Sequence, residues 1–218
     1  GQLKQAAREF GADLVGIAPI ERFESLTPER HPASIAPECR SVVVLGRRIL
    51  RGSLRGVEEG TSFGPTYNMF GYRWLEDNFL SQTTYDVTCW IEEQGFEAVP
   101  LFGYQEDGMP KGRPVADGKP APNVYVDIEF AAQAAGLGEI GLGDFFITPE
   151  FGTRQRVAVI LTDAELDADT VAGKEVCADC GACADACPFG AIDLENTHTE
   201  GVPGHTMEVA AVDFDLCR

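Results

Sequence analysis

The chain has 218 residues, with 17 Lys and Arg against 35 Asp and Glu, a formal net charge of −18, 44% apolar and 24% charged residues. That is an ordinary soluble globular composition, long enough for one large core with a small appendage or for two modest domains, and it excludes a disulfide-stapled mini-protein. A pI near 4.4 repels phosphate backbones, so no nucleic-acid partner is expected through a broad basic surface.

Leu3, Ala6, Ala7 and Phe10 recur at helical spacing and Gly11 can take a left-handed cap conformation, which predicts a helix over residues 2–11. Residues 14–18 and 41–46 (SVVVLG) are short and β-branched, as buried strands are. From 66 to 94 there is no proline and little glycine, and Trp74, Leu75, Phe79, Leu80, Val87, Trp90 and Ile91 predict a helix, broken once and ended by Gly95. Residues 96–102 (FEAVPLF) read as an edge strand, because Pro100 cannot donate to a ladder. Residues 103–123 hold four Gly and four Pro and read as a long loop. Asp127 can cap a helix that runs to Ala135 and ends at Gly136. Residues 155–162 (QRVAVILT) form the clearest strand, and the acidic stretch 163–175 reads as a linker.

No apolar run approaches the roughly 18 residues of a membrane span, and the start lacks the pattern of a signal peptide, so no membrane is expected and the chain reads as cytoplasmic. Residue 1 is Gly instead of Met, which leaves a trimmed leader open.

Of seven cysteines, Cys39 and Cys89 stand alone and read as small apolar residues, whereas Cys177, Cys180, Cys183 and Cys187 crowd into CADCGACADACP. This C-x2-C-x2-C-x3-C-P run is the ferredoxin pattern for a 4Fe-4S cluster. Three thiolates must reach three corners of one cubane, and Gly181 with Ala178, Ala182 and Ala184 lets the backbone wrap that tightly. Zinc sites usually use two separated C-x2-C knuckles instead. Cys217, in VDFDLC, resembles the lead into the second half of a two-cluster ferredoxin. Two clusters need eight ligands. Five clustered cysteines cannot supply them, so either residues continue past Arg218 or one cluster forms with a spare thiolate.

Residues 136–141 (GLGEIG) match G-x-G-x-x-G, and Asp163 lies about twenty residues on, as in a dinucleotide fingerprint. The context is wrong, because an Ala-rich helix precedes the motif and Gly143 and Pro149 interrupt the segment after it, where the fingerprint needs a helix.

Residues 134–166 with the cysteine motif after them, together with FGADLVGIAPIERF and PECRSVVVLG, resemble the superfamily of epoxyqueuosine reductases and reductive dehalogenases. The resemblance implies an α+β, nitroreductase-like core over 1–165, with a ferredoxin-like module over 166–218 that is incomplete at its end. It implies a corrinoid (cobalamin) with its lower face unligated, reduced through iron–sulfur clusters. Gly136, Gly138, Gly141 and Gly143 would then let backbone lie against a flat macrocycle, with Thr148, Pro149, Glu150, Phe151, Gly152 and Arg154 beside them. Each glycine also reads as plain turn chemistry.

The proton donor stays open. Asp127 lacks the proline that follows the catalytic aspartate of epoxyqueuosine reductases, and it also reads as a helix N-cap. Reductive dehalogenases resemble a tyrosine donor, for which Tyr104 or Tyr125 stand nearby, Tyr125 reading equally as a packed aromatic. His31, His198 and His205 lack metal-binding spacing, and Arg47, Arg48, Arg51 and Arg55 form a local basic concentration.

The expectation is an iron–sulfur oxidoreductase that uses a corrinoid on a small molecule. The alternatives are an electron-transfer or corrinoid-reactivating protein that docks a partner redox protein, or an FMN-dependent reductase.

Overall fold

The computed structural model describes residues 1–101, 112–174 and 176–216. In chain order the elements are α1 (Gln2–Glu9), β1 (Leu14–Pro19), β2 (Ser41–Arg48), α2 (Arg55–Glu58), α3 (Ser81–Glu93), β3 (Ala98–Leu101), α4 (Ile128–Ala134), β4 (Glu139–Gly141), β5 (Phe145–Ile147), β6 (Gln155–Thr162), α5 (Ala182–Asp185), β7 (Ile192–Glu200) and β8 (Met207–Val212). Helix and sheet are mixed, as expected. Among the described residues no helix is long and apolar enough to cross a membrane.

Four strands form an antiparallel sheet in the order β1-β2-β6-β3. Its centre pairs the two most apolar runs of the sequence, from Ser41 opposite Thr162 to Arg48 opposite Gln155. Leu14, Val42, Val44, Val159 and Leu161 join one core, with Phe130, Ala131 and Ala134 of α4 and with Val202, Met207 and Val209. Val15, Ile17, Val43, Leu45 and Ile160 join the other, with Leu3 and Ala7 of α1 and Val87 and Ile91 of α3. Burial on both faces is why these strands read as unbroken apolar runs instead of alternating ones. Pro100 lies in β3 at the sheet edge, where its missing N–H costs no ladder bond.

The helix expected over 66–94 changes pitch. Gly64–Arg73 and Leu75–Leu80 are wound as π-helix before α3 begins, and Gly95 ends the run with φ +89°. Phe63, Phe70, Tyr72, Trp74 and Phe79 of this stretch are exposed. Of the expected loop over 103–123, residues 103–111 lie outside the described residues, as does 102 at the end of the expected strand, and 112–123 contain no helix or strand.

Asp127 caps α4, its Oδ1 accepting from the N–H groups of Glu129 and Phe130 at 3.0 Å each. Gly136 comes next with φ +76°. Behind it stands a hairpin, β4–β5, paired from Glu139 opposite Ile147 to Gly141 opposite Phe145. Helix, turn, then two strands is the reverse of the strand–turn–helix order that a dinucleotide fingerprint requires.

The acidic stretch after β6 is laced back to β1. Lys4 Nζ donates to Asp169 Oδ1 at 2.5 Å, and the N–H groups of Ile17 and Asp169 donate to Asp169 Oδ2 and Ile17 O, both at 2.9 Å. A second hairpin, β7–β8, closes the described chain, with a bulge between Asp193 and Thr197. Gln133 of α4, fully buried, ties it down: its Nε2 donates to His205 O at 2.8 Å and its Oε1 accepts from Val202 N–H at 2.9 Å.

Leu161, wholly inaccessible in the sheet centre, tests the two-faced core. Leu161→Ala is expected to lose about 2–5 kcal/mol of unfolding free energy by chemical denaturation. A loss under about 1 kcal/mol would place that side chain outside a packed core.

Candidate functional site

The cysteine loop winds as the spacing demands. Asp179 and Gly181 both take left-handed conformations, φ +51° and +75°, which turn the backbone between Cys177, Cys180 and Cys183. The single turn α5 comes next and carries Cys183. The four thiols are free and exposed or half-buried. Lys174 Nζ donates to the Asp179 carboxylate, which holds that carboxyl below its usual range. Backbone N–H groups at Ala191 and Phe189 pull the Cys187 thiol below its ordinary pKa, which favours the thiolate that iron requires.

Donor chemistry therefore fits an iron–sulfur cluster. Among the described residues no three His, Cys, Asp or Glu are gathered closely enough to hold one metal ion. A tetrahedral zinc centre would need that gathering, whereas a cubane offers each thiolate a different iron corner. Cys217 lies outside the described residues.

The hairpin β4–β5 meets this loop through three neighbouring residues. Glu139, 1% exposed, accepts from Val176 N–H at 3.1 and 3.2 Å and from Cys177 N–H. Leu142 N–H donates to Cys177 Sγ at 3.4 Å. A Cβ on Gly143 would stand 2.7 Å from both Cβ and Sγ of Cys183, so only glycine admits that thiol so closely. The other glycines face the chain as well: Gly136 faces Thr170 O, and Gly138 and Gly141 face Ile147. At each of these glycines the side-chain direction is taken up by the chain itself.

Thr148 is buried, its hydroxyl donating to Gln155 Oε1 at 3.2 Å and accepting from Phe151 N–H at 3.2 Å, which shapes the turn holding exposed Pro149. Arg154 Nη1 donates to Ile49 O at 3.3 Å. Tyr125 is half-buried and its N–H donates to Glu29 O at 2.9 Å, just ahead of the Asp127 cap. Tyr104 lies outside the described residues. The basic concentration is internally paired, Arg47 with Gly11 O, Arg48 with Asp13, Arg51 with Glu58 and Arg55 with Glu59.

Glu129 and Asp144 carry no sequence motif, yet both are perturbed. Burial first, then the charges of Asp144, Asp127 and Glu200, pushes the Glu129 carboxyl up to about 8. Burial and Glu200 push Asp144 in the same direction, partly offset by His198. His198 Nε2 stands 3.0 Å from Glu200 Oε1. The signal for Glu139 was present: a carboxylate between Gly138 and Ile140, inside an otherwise apolar strand, must find buried donors.

The family model of the 4Fe-4S binding domain matches residues 173–193. Tetrachloroethene reductive dehalogenases of Desulfitobacterium hafniense and Dehalobacter restrictus are 29% identical over 88% of this chain. The chain spans 38% of those relatives' length. A solved catabolic reductive dehalogenase superposes with a TM-score of 0.66 at 19% identity, over 99% of this chain and 28% of the other. Epoxyqueuosine reductase from Streptococcus thermophilus superposes with a TM-score of 0.62 at 18% identity, over 87% of this chain and 52% of the other. Another epoxyqueuosine reductase, solved with a modified tRNA stem loop, superposes with a TM-score of 0.58 at 15% identity, over 87% of this chain and 52% of the other. These matches bear out the superfamily resemblance drawn from the sequence; nothing in them supports the flavin alternative.

A carboxyl whose folded pKa is raised binds more protons folded than unfolded, so stability falls as pH climbs from about 4.5 to about 8. Glu129→Gln removes that dependence and is expected to gain on the parent by at most about 1.4 kcal/mol per pH unit across the window. Denaturation at a series of pH values reads it. A difference that stays constant with pH would show that Glu129 titrates normally.

Proposed function

We propose, on the premise that the chain is kin to the reductive dehalogenases and epoxyqueuosine reductases, that it acts as an iron–sulfur oxidoreductase. The observation that carries the reading is the seating of the Cys177–Cys183 loop against the glycine hairpin. A 4Fe-4S cluster, when bound, supplies one-electron transfer through thiolate-ligated iron. Cys177, Cys180 and Cys183 would hold one such cluster, and Cys187 with Cys217 would serve a second. The hairpin's contribution is to fix two of these thiols and donate one N–H to sulfur, which favours the more electron-rich state.

A corrinoid as the site of reductive chemistry belongs to the same reading, on a nitroreductase-like core over 1–165 with the cysteine module over 166–218. Its support is the family of relatives, one of which is described with a mechanism for B12-dependent dehalogenation. Gly136, Gly138, Gly141 and Gly143, with Thr148, Pro149 and Arg154, would be the positions that meet it, the side-chain direction of each glycine being taken up by the chain itself. Tyr125 and Asp127 remain the proposed proton donors; for Asp127 the capping role uses Oδ1 and leaves Oδ2, 3.9 Å from Arg30 Nη1.

The substrate is taken to be a small molecule, and the location cytoplasmic. The exclusion of nucleic acid rests on the net charge of −18. A second reading, electron transfer to a docked redox protein, is favoured by the exposed aromatics Phe63, Phe70, Tyr72, Trp74 and Phe79.

Anaerobic purification with cofactors retained separates these readings. Cobalamin absorbance together with thiolate-to-iron absorbance is the expected spectrum, and Cys180→Ser should remove the part of the iron component that belongs to the cluster held by Cys177, Cys180 and Cys183. Cluster absorbance without cobalamin would favour electron transfer, and a flavin spectrum would overturn both.

A further inference from the structure

Glu139 has a geometry that its place in a glycine motif does not require. A carboxylate that is 1% exposed is costly unless its lone pairs are met by donors. Here the donors are consecutive backbone N–H groups, those of Val176 and Cys177, and the second belongs to the first cysteine of the cluster motif. Three residues along the same hairpin, Leu142 N–H reaches the sulfur of that same cysteine at 3.4 Å. One side of the hairpin thus grips Cys177 at two points, backbone and thiol, and Gly143 receives Cys183 next to it.

We propose that Glu139 is a positioning residue for the cluster: its buried carboxylate clamps the Val176 and Cys177 amides and so holds the Cys177 thiolate in place for iron. The inference rests on the iron–sulfur reading above. The loop it anchors has no buried side chain between 176 and 190 to fix it otherwise. Lys174 pairs with Asp179 from just outside that stretch, but both side chains are solvent-exposed, so the pair holds it weakly.

Two variants grade the clamp. Oε1 accepts from both amides, so Glu139→Gln keeps the shape and that acceptor but loses the charge and the second oxygen, holding the amides more weakly; Glu139→Ala meets neither. Hydrogen exchange of the iron-free full chain should show the Val176 and Cys177 amides protected in the parent. Protection should fall roughly tenfold to a hundredfold in Glu139→Ala and less in Glu139→Gln. Amides of β2 and β6 report that the sheet remains folded. After reconstitution with iron and sulfide, thiolate-to-iron absorbance should be lost to a chelator in the same order, parent slowest and Ala fastest. A purely structural role would slow or speed sheet exchange as well, and would not grade Gln between Glu and Ala at these two amides.

Equal exchange at Val176 and Cys177 in all three proteins overturns the clamp, as does equal chelator release. A parent that takes up no iron while the amides grade as expected overturns the iron–sulfur reading, and with it the role toward iron, leaving a loop clamp alone.

Discussion

The stretch that carries the cluster cysteines has no core of its own. From 176 to 190 every described residue is exposed or half-buried, and α5 buries nothing. Its shape must therefore be borrowed. The lender is β4–β5, which offers a buried carboxylate, a backbone N–H and a missing side chain to Cys177 and Cys183. Backbone hydrogen bonds to a buried carboxylate are among the stronger ones in a protein, about 1.5–3 kcal/mol each. That offsets the backbone entropy of fixing Val176 and Cys177, at about 1–2 kcal/mol per residue, and so pins the start of the loop before metal binds.

The hairpin can lend shape because it is itself held. Ile140 and Phe146 are buried in the core that covers one face of the sheet. Gln155, at the start of β6, donates from Nε2 to Phe146 O at 2.9 Å, and Ala210 N–H in β8 donates to Leu142 O at 2.8 Å. Gln133 and Asp169 tie the second hairpin and the acidic linker to the same body. The path from sheet centre to cysteine thiol is therefore continuous through packed or hydrogen-bonded groups. Acidic residues collect beside this path, where burial and the charge of Glu200 raise the proton affinity of Glu129 and Asp144.

Sequence patterns captured the parts governed by local rules. β2 and β6 announce themselves because burial on two faces leaves no polar positions, and Asp127 and Gly136 bracket α4 because capping chemistry is local. The cysteine spacing is likewise local. What the chain does not print is pairing at a distance. β7 (IDLENTHTE) has no apolar period because its residues are exposed on both faces, so its strand character comes from its partner β8. The pitch change before α3 has no marker in the spacing. Glu139 stands out as a carboxylate in an apolar strand, but its donors Val176 and Cys177 lie 37 and 38 residues on, and local pattern does not print that pairing. The glycines serve close approach, as their type suggests, and at Gly143 the approaching group is Cys183.

The central claim is that this loop, as seated, is built for an iron–sulfur cluster. Elemental analysis of the full chain prepared without oxygen tests it most directly, combined with electron paramagnetic resonance after reduction. The account predicts iron and acid-labile sulfide in equal amounts, about four of each per cluster, and the signal of a reduced 4Fe-4S centre. Stoichiometric zinc without iron, and no such signal, would contradict it.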